Sequence, residues 1–344
     1  MDEEYAFEPD PLCEDELGAE KSLRPGSLEE FIGQKRVVEN LRIAIDTARS
    51  RGEALDHILF SGMPGLGKTT LAYLIASELR VDIRCTSGPA IEKPRDIVGL
   101  LTGLQKGDIL FIDEIHRLTK SAEEFLYSAM EDQKVDVVLD RGVDARAVRL
   151  TVEPFTLVGA TTREGYLSAA FRSRFGILEK LEPYPPSEVL VILQRSAGIL
   201  GCSLDDEAAL LLARRCRGTP RYANRFLRRI RDIGQYRSRG AKSPAFDSGL
   251  VLSRSHVAEG LDRLGVDENG LDRVDRSILS VLFQSADAVG LKTIAVSVGE
   301  EERTIEDVHE PFLIQSGLIV KTPRGRRPSA RAHDLYMAKG SICS

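Results

Sequence analysis

The run FSGMPGLGKTTLA, Phe60 to Ala72, constrains this chain more than any other stretch. It carries the spacing G-x-x-x-x-G-K-[ST], with a short apolar strand pattern before it (His57 to Ser61) and apolar residues Leu71, Leu74, Ile75 and Leu79 at helical spacing after it. Between strand and helix, Gly62, Gly65 and Gly67 have no Cβ to obstruct a turn whose N–H groups point inward, and the helix N-terminus adds partial positive charge where a phosphate would sit. Lys68 is placed to reach β and γ phosphates, Thr69 to offer its hydroxyl to Mg²⁺, and Thr70 to contact a phosphate further back. Such a loop implies an α/β fold, with the ligand at the carboxyl ends of parallel strands.

A second strand pattern separates holding a nucleotide from hydrolysing it. DILFIDEIHRL has four consecutive apolar residues, Ile109 to Ile112, as a parallel strand buried on both faces requires, and ends in Asp113-Glu114. Asp113 is the candidate to hold Mg²⁺ through water, and Glu114 the candidate to orient and polarise an attacking water. A nucleotide kinase shares the loop, but the paired carboxylates fit hydrolysis better. FTLVGATTREGYLSAAFRSRFG supplies a third apolar strand ending at Thr161-Thr162, followed by Arg172 and Arg174. Thr162 is placed to sense the γ phosphate. Arg174 reads two ways: as a group that stabilises transition-state charge on a neighbouring subunit's nucleotide, or as half of a surface ion pair.

Composition narrows the class. At 344 residues, 42% hydrophobic and 29% charged, the chain reads as a soluble protein of two or three domains. No apolar run reaches the about 18 to 20 residues of a membrane span. The first twenty residues hold nine acids and no Lys or Arg, the reverse of a signal peptide, so a cytoplasmic location is expected and the leader reads as a solvated tail. Subtracting those nine acids from the net charge of -6 leaves residues 21 to 344 at +3. Ten Arg against one Asp lie between Arg214 and Gly240, and five bases with no acid between Lys321 and His333; a polyanion partner and solvated helix faces both account for them. Five Cys and five His, scattered and without C-x-x-C spacing, indicate reduced thiols and no metal cluster.

Two further patterns bear on partners. In KVDVVLDRGVDARAVRLTVEPF, Val135, Val137 and Leu139 alternate on one arm and Val148, Leu150 and Val152 on the other, which predicts a β-hairpin turning near Arg141-Gly142. It either docks a partner or folds onto its own core. The C-terminal third predicts helices over 272–285, near 292–298 and over about 303–316, the last distorted at Pro311 and stopped by Gly317. LIVKTPRGRRPSARAHDLY then reads as strand, basic turn, strand, completing a winged helix in which Lys321, Arg324, Arg326 and Arg327 are candidates for DNA phosphate contact.

RPGSLEEFIGQ, GMPGLGKTT, LFIDEIHRL, GATTR, FRSRFGI, RGTPRYANRFLRR, EPFLIQSGL and KTPRGR together resemble the RuvB family, the bacterial AAA+ motors of Holliday junction branch migration, from about Leu23 to Tyr336. The resemblance implies an AAA+ P-loop core with a parallel sheet (1–184), a small helical lid (185–263) and a C-terminal winged helix (264–344). It implies ATP and Mg²⁺ as cofactors, RuvA as a partner gripped by the hairpin through Val148 and Leu150, a homohexameric ring, and Holliday junction and duplex DNA as substrate, and it leaves room for a junction resolvase as a further partner. Leu23 and Arg24 resemble residues that pack on the adenosine, Arg174 an arginine finger acting in trans, and Glu131, Asp132 and Gln133 a stretch near the neighbour's nucleotide. Tyr184 and Arg221 resemble lid contacts to ATP. For Arg221 the local sequence agrees: Thr219 is the N-cap and Pro220 the first helical residue, so a first-turn Arg opposes the helix dipole unless an anion is present.

Several positions depart from the family pattern. Met63 stands where Pro is usual, Gln133 ends a triplet that usually closes on an aromatic residue, Arg303 lies one place from an expected DNA-facing Arg, and Lys321 replaces Arg. A clamp-loader-like AAA+ protein and a non-hydrolysing P-loop DNA-binding regulator are the alternative functions.

Overall fold

The computed structural model describes residues 22–138, 147–240 and 249–338. Its first half contains β1 (Ile58–Ser61), β2 (Ile83–Ser87), β3 (Ile109–Asp113), β4 (Lys134–Val138), β5 (Ala147–Thr151), β6 (Thr156–Thr161) and β7 (Ile177–Lys180). β2, β3, β6, β1 and β7 form, in that order, one parallel sheet. β1 and β6 are buried at every residue and β3 at all but Asp113, as their unbroken apolar runs require when helices cover both faces. The pairing of Ser61 with Thr161 and of Ser87 with Asp113 brings the strand tips to one edge. The phosphate-loop helix, Lys68–Leu79, starts from that edge.

β4 and β5 pair antiparallel outside this sheet, Val135 opposite Leu150 and Val137 opposite Val148. The hairpin divides the two readings between its residues. Val135 and Val152 are buried in the core under the sheet and Leu150 is half-buried against it, whereas Val148 is exposed. Leu150 is therefore shared between the chain's own core and the surface, and Val148 is the more exposed of the two residues expected to meet a partner. Leu139, Arg141 and Gly142 lie outside the described residues.

Beyond Tyr184 come the helices Pro186–Ile199, Asp206–Arg215, Pro220–Gly240 and Arg254–Arg263, with β8 (Cys202–Leu204) and β9 (Leu250–Leu252) paired in parallel among them. One apolar cluster runs without a break from Leu41, Phe60 and Ile75 through Tyr184 to Leu193, Phe226 and Ile230, so the sheet and this helical unit share a core. Most Arg side chains here have local partners: Arg237 bonds Glu259, Arg231 bonds Asp232, and Arg225 lies over the Tyr222 and Phe226 rings. That is the solvated-face outcome rather than a polyanion patch.

The last unit has its own core around Ile278, Leu282, Ile294, Leu313 and Ile319. Helices Arg273–Gln284 and Leu291–Val298 are followed by a third that changes character, from α at 302–304 to π at Ile305–His309 and back to α at Glu310–Gln315. Pro311 explains the widening, because it has no N–H to give residue 307 and its ring would clash with that carbonyl in a regular helix. Gly317, at φ 67°, ends the helix. β10 (Ile319–Thr322) and β11 (Gly325–Pro328) form the wing, joined by Pro323-Arg324. Gly325 is required at φ 140°, since a Cβ there would sit 2.4 Å from the Val289 carbonyl oxygen.

A buried ionic knot ties this unit to the preceding one. Arg217 Nη2 bonds Asp272 Oδ2 (2.6 Å) and Asp275 Oδ2 (2.7 Å), its Nε bonds the Gly270 carbonyl, and its guanidinium lies over Tyr222 and Phe312. His309 Nδ1 is 2.7 Å from the other Asp275 oxygen. Asp272, Asp275 and His309 could together face a cation, and Arg217 supplies that positive charge.

Candidate nucleotide site

A cavity of about 240 Å³ opens at the strand tips and is walled by distant parts of the chain. Gly65, Gly67, Lys68, Thr69 and Thr70 form its floor, Asp113, Glu114 and Thr162 one side, and Leu23, Arg24 and Tyr184 the far end, while Arg221 reaches in from the helical unit. The sequence had named all of these. Gly62 shapes the loop without lining the cavity.

The loop's backbone demands its glycines. At Gly62 (φ 138°) a Cβ would lie 2.6 Å from the Leu181 carbonyl oxygen, and at Gly65 (φ 80°) 2.8 Å from Arg221 Cβ. Lys68 is buried, its Nζ donating to the carbonyls of Gly62 (2.7 Å) and Met63 (2.8 Å). Burial pushes its pKa down to about 8; Asp113 opposes the shift and Arg221 adds to it. Met63, in place of the usual Pro, costs the loop no acceptor, and its side chain packs against both the sheet core and the winged-helix core.

Asp113 ends β3 and accepts the Glu114 N–H at 2.9 Å. Glu114 has φ 48°, a left-handed conformation uncommon for a side-chain-bearing residue. Glu114 Oε2 accepts from Arg117 Nη1 at 2.7 Å and lies 3.5 Å from Arg303 Nη2. The tight turn is possible because Gly88 approaches it: a Cβ on Gly88 would be 2.4 Å from the Glu114 carbonyl oxygen. Beneath Thr162, the buried Thr161 hydroxyl lies 3.0 Å from His116 Nδ1 and accepts the Arg163 N–H. Burial holds the His116 pKa below its ordinary value.

Tyr184 is buried at the junction of the walls, its hydroxyl donating to the Leu66 carbonyl at 3.2 Å and its N–H to the Gly218 carbonyl at 2.9 Å. Burial raises the pKa of its hydroxyl, so Tyr184 stays a neutral donor. Arg24 lies over the Tyr73 ring. Arg195, which no sequence pattern singled out, donates to the carbonyls of Leu23 (2.9 Å) and Arg24 (3.4 Å) and so holds this lip from the helical unit. Asp307 of the winged helix also lines the cavity and was not foreseen.

Arg174 does not line this cavity. It borders another one with Glu131 and Gln133, bonded to Glu131 and to the Tyr127 hydroxyl and lying over the Tyr127 ring. Its Nε is buried with no hydrogen-bond partner among the described residues. Glu131, Asp132 and Gln133 are all exposed, and Glu131 and Gln133 line this cavity with Arg174.

Three family models match end to end: the Holliday junction DNA helicase RuvB P-loop domain at residues 23–181, the RuvB AAA lid domain at 184–267 and the RuvB C-terminal winged helix domain at 268–337. The chain belongs to the RuvB family. The RuvB branch migration complex subunit of Prosthecochloris aestuarii is 53% identical over 330 residues, covering 95% of this chain and 92% of that protein. The corresponding Kosmotoga olearia subunit is 50% identical, covering 96% and 94%. The solved Thermotoga maritima RuvB branch migration motor superposes with a TM-score of 0.80 at 43% identity, covering 93% of this chain and 99% of that one. A RuvB P-loop domain implies nucleotide binding, and the cavity over Lys68 is the candidate place for it.

The basic residues expected to face DNA in this RuvB winged helix are less free than their sequence suggests. Arg326 is buried and bonded to Glu310, so it is withdrawn from the candidate DNA surface by its role inside the domain. Lys321 pairs with Glu306 (2.9 Å) and Glu310 (3.5 Å), and Arg327 lies 3.6 Å from Asp287. Arg324 is exposed at the wing turn. Arg303 points toward Glu114 and Asp307 rather than away from the core.

Proposed function

We propose that this chain is the ATP-driven motor subunit of Holliday junction branch migration, acting in the cytoplasm with RuvA as a homohexamer that draws duplex DNA through its ring. One observation carries the reading: Lys68, Asp113, Glu114, Thr162 and Arg221 converge on one cavity, whereas Arg174 sits on another with Glu131. An active site complete but for Arg174 is what hydrolysis at a subunit interface requires, the neighbour's copy supplying the missing charge.

In this reading Lys68 and the loop N–H groups bind the β and γ phosphates of ATP, and Leu23, Arg24 and Tyr184 hold the adenosine. The Thr69 hydroxyl and the Asp113 carboxylate have the hard oxygen donors that suit Mg²⁺, which when bound would neutralise developing phosphate charge. Glu114 polarises the attacking water, Thr162 senses the γ phosphate, and Arg221 connects phosphate state to the lid. The working units divide as ATPase core to Tyr184, lid to Arg263 and winged helix beyond. The exposed Val148 end of the hairpin's apolar face would meet RuvA, and Arg324 with Lys321 and Arg327 the DNA backbone; a junction resolvase could join the assembly.

A synthetic four-way junction incubated with the purified chain, RuvA, Mg²⁺ and ATP tests this directly. Resolution into duplexes that fails with a non-hydrolysable analogue or without RuvA is the expected result. Hydrolysis stimulated by DNA with no junction dissociation would reject the substrate and bring forward a clamp-loader-like role.

A further inference from the structure

The winged helix is itself part of the wall of the nucleotide site. Asp307 lines the cavity, Met63 of the phosphate loop packs against the winged-helix core, and three ion pairs cross between the units. Arg163, next to the Thr161-Thr162 strand tip, bonds Asp307 (2.7 Å) and Glu306 (2.9 Å). Arg303 forks between Asp307 (3.5 Å) and Glu114 (3.5 Å). On the far side, Glu306 also bonds Lys321 of the wing strand β10 at 2.9 Å. A continuous ionic chain therefore runs from a wing base to the water-polarising carboxylate: Lys321, Glu306, Arg163, Asp307, Arg303, Glu114. Arg163, Glu306 and Asp307 are less than a quarter exposed, so their pairing is poorly screened, while Lys321 and Arg303 at the two ends are nearly half exposed and open to a competing anion.

We propose that Arg303 is a DNA-responsive restraint on Glu114. Resting on the branch-migration reading above, this names the regulation of the same site. Arg117 and Arg303 both hold Glu114 Oε2, which pins the orientation of the carboxylate and opposes its turning toward an attacking water. DNA phosphate, offered to Lys321 and Arg303, competes with Glu306 and Glu114 for the same bases, and the restraint on Glu114 falls as DNA engages. The π-helical segment 305–309, opened by Pro311, is the element that turns Glu306 and Asp307 toward Arg163. The coupling claimed is one of shared ionic partners with two arrangements, and it is measurable as a change in hydrolysis.

The test compares steady-state ATP hydrolysis by the full-length chain with Mg²⁺, with and without linear duplex DNA, for wild type, Arg303→Gln and Arg303→Lys. Loss of one half-exposed ion pair corresponds to a rise of about two- to fivefold, so Arg303→Gln should raise the DNA-free rate by that factor and shrink the stimulation by DNA. Arg303→Lys should keep the wild-type pattern. A residue that only contacts DNA would weaken salt-sensitive duplex binding and leave the DNA-free rate unchanged; that outcome, or a lower DNA-free rate, overturns the proposal. Glu306→Gln leaves Arg163 to Asp307 alone and so leaves Arg303 more fully to Glu114; it should lower the DNA-free rate, it stands in if the Arg303 variants misfold, and a raised rate would count against the proposal. A wild type that hydrolyses ATP with no response to DNA counts against the motor reading and removes the DNA-relief half of this proposal, while the Arg303→Gln rate still reads the contact with Glu114.

Discussion

At the scale of single residues, the phosphate loop stores a proton equilibrium. Folding lowers the Lys68 pKa to about 8, so between that pH and its ordinary 10.5 the folded chain holds fewer protons than the unfolded one. Its penalty on stability therefore shrinks as pH rises through this window, while the ammonium that phosphate needs is lost. Nucleotide binding near pH 8 should take up a fraction of a proton, seen as a binding enthalpy that depends on the ionisation heat of the buffer; equal enthalpies in two buffers would count against it. Gly88 gives a second prediction. A Cβ there meets the Glu114 carbonyl at 2.4 Å and Arg117 Cβ at 3.2 Å. Gly88→Ala should slow hydrolysis about tenfold or more, because small displacements of a catalytic group are costly, with little change in nucleotide affinity measured by titration.

At the scale of elements, the Arg217 knot decides how two units hold together. Removing one partner strands buried charge, so Arg217→Ala should cost about 3–5 kcal/mol in denaturant unfolding, more than any surface Arg of the Pro220–Gly240 helix. Burial works against ionised Asp272, yet Arg217 and the Asp275 N–H hold its pKa below the ordinary 3.8. The stability this contributes is present above that pH and lost as pH falls through the lower folded value. The melting temperatures of wild type and Arg217→Met should therefore converge as the medium is acidified below about pH 4, in line with that ordinary carboxylate value. The contrast between what sequence could and could not reveal lies at this scale. The strands ending at Ser61, Asp113 and Thr161 were legible because burial on both faces writes an unbroken apolar run, and the loop because only glycine fits its dihedral angles. Arg195, Asp307 and Arg303 were missed or misdirected because their partners lie 171, 144 and 189 residues away, and no periodicity encodes which unit packs on which. The hairpin was legible as a pattern, but how far along it the apolar face stays on the core was not, since Val148 and Leu150 share that face and alternation alone does not say that Leu150 meets the core while Val148 does not.

At the scale of the whole molecule, Arg174 lies apart from its own chain's cavity over Lys68, and the proposed function makes activity a property of neighbours. Glu114→Gln and Arg174→Ala chains should each be inactive alone, and mixing them should recover a fraction of the wild-type rate, because some interfaces then pair an intact Glu114 with an intact Arg174. No recovery in co-assembled rings would place Arg174 outside catalysis. The shared core of sheet and lid has a different kind of consequence, for how such a chain could be recombined with its relatives. An exchange of modules at Tyr184 would cut through one continuous apolar cluster and leave mismatched shapes on both sides. A graft near residue 268 would sever far less packing, but it would inherit a compatibility rule: the donor's counterparts of Asp272 and Asp275 must arrive where a buried Arg217 already waits. Lineages that shuffled this motor's parts would be expected to move that Arg and those two acids as one heritable set.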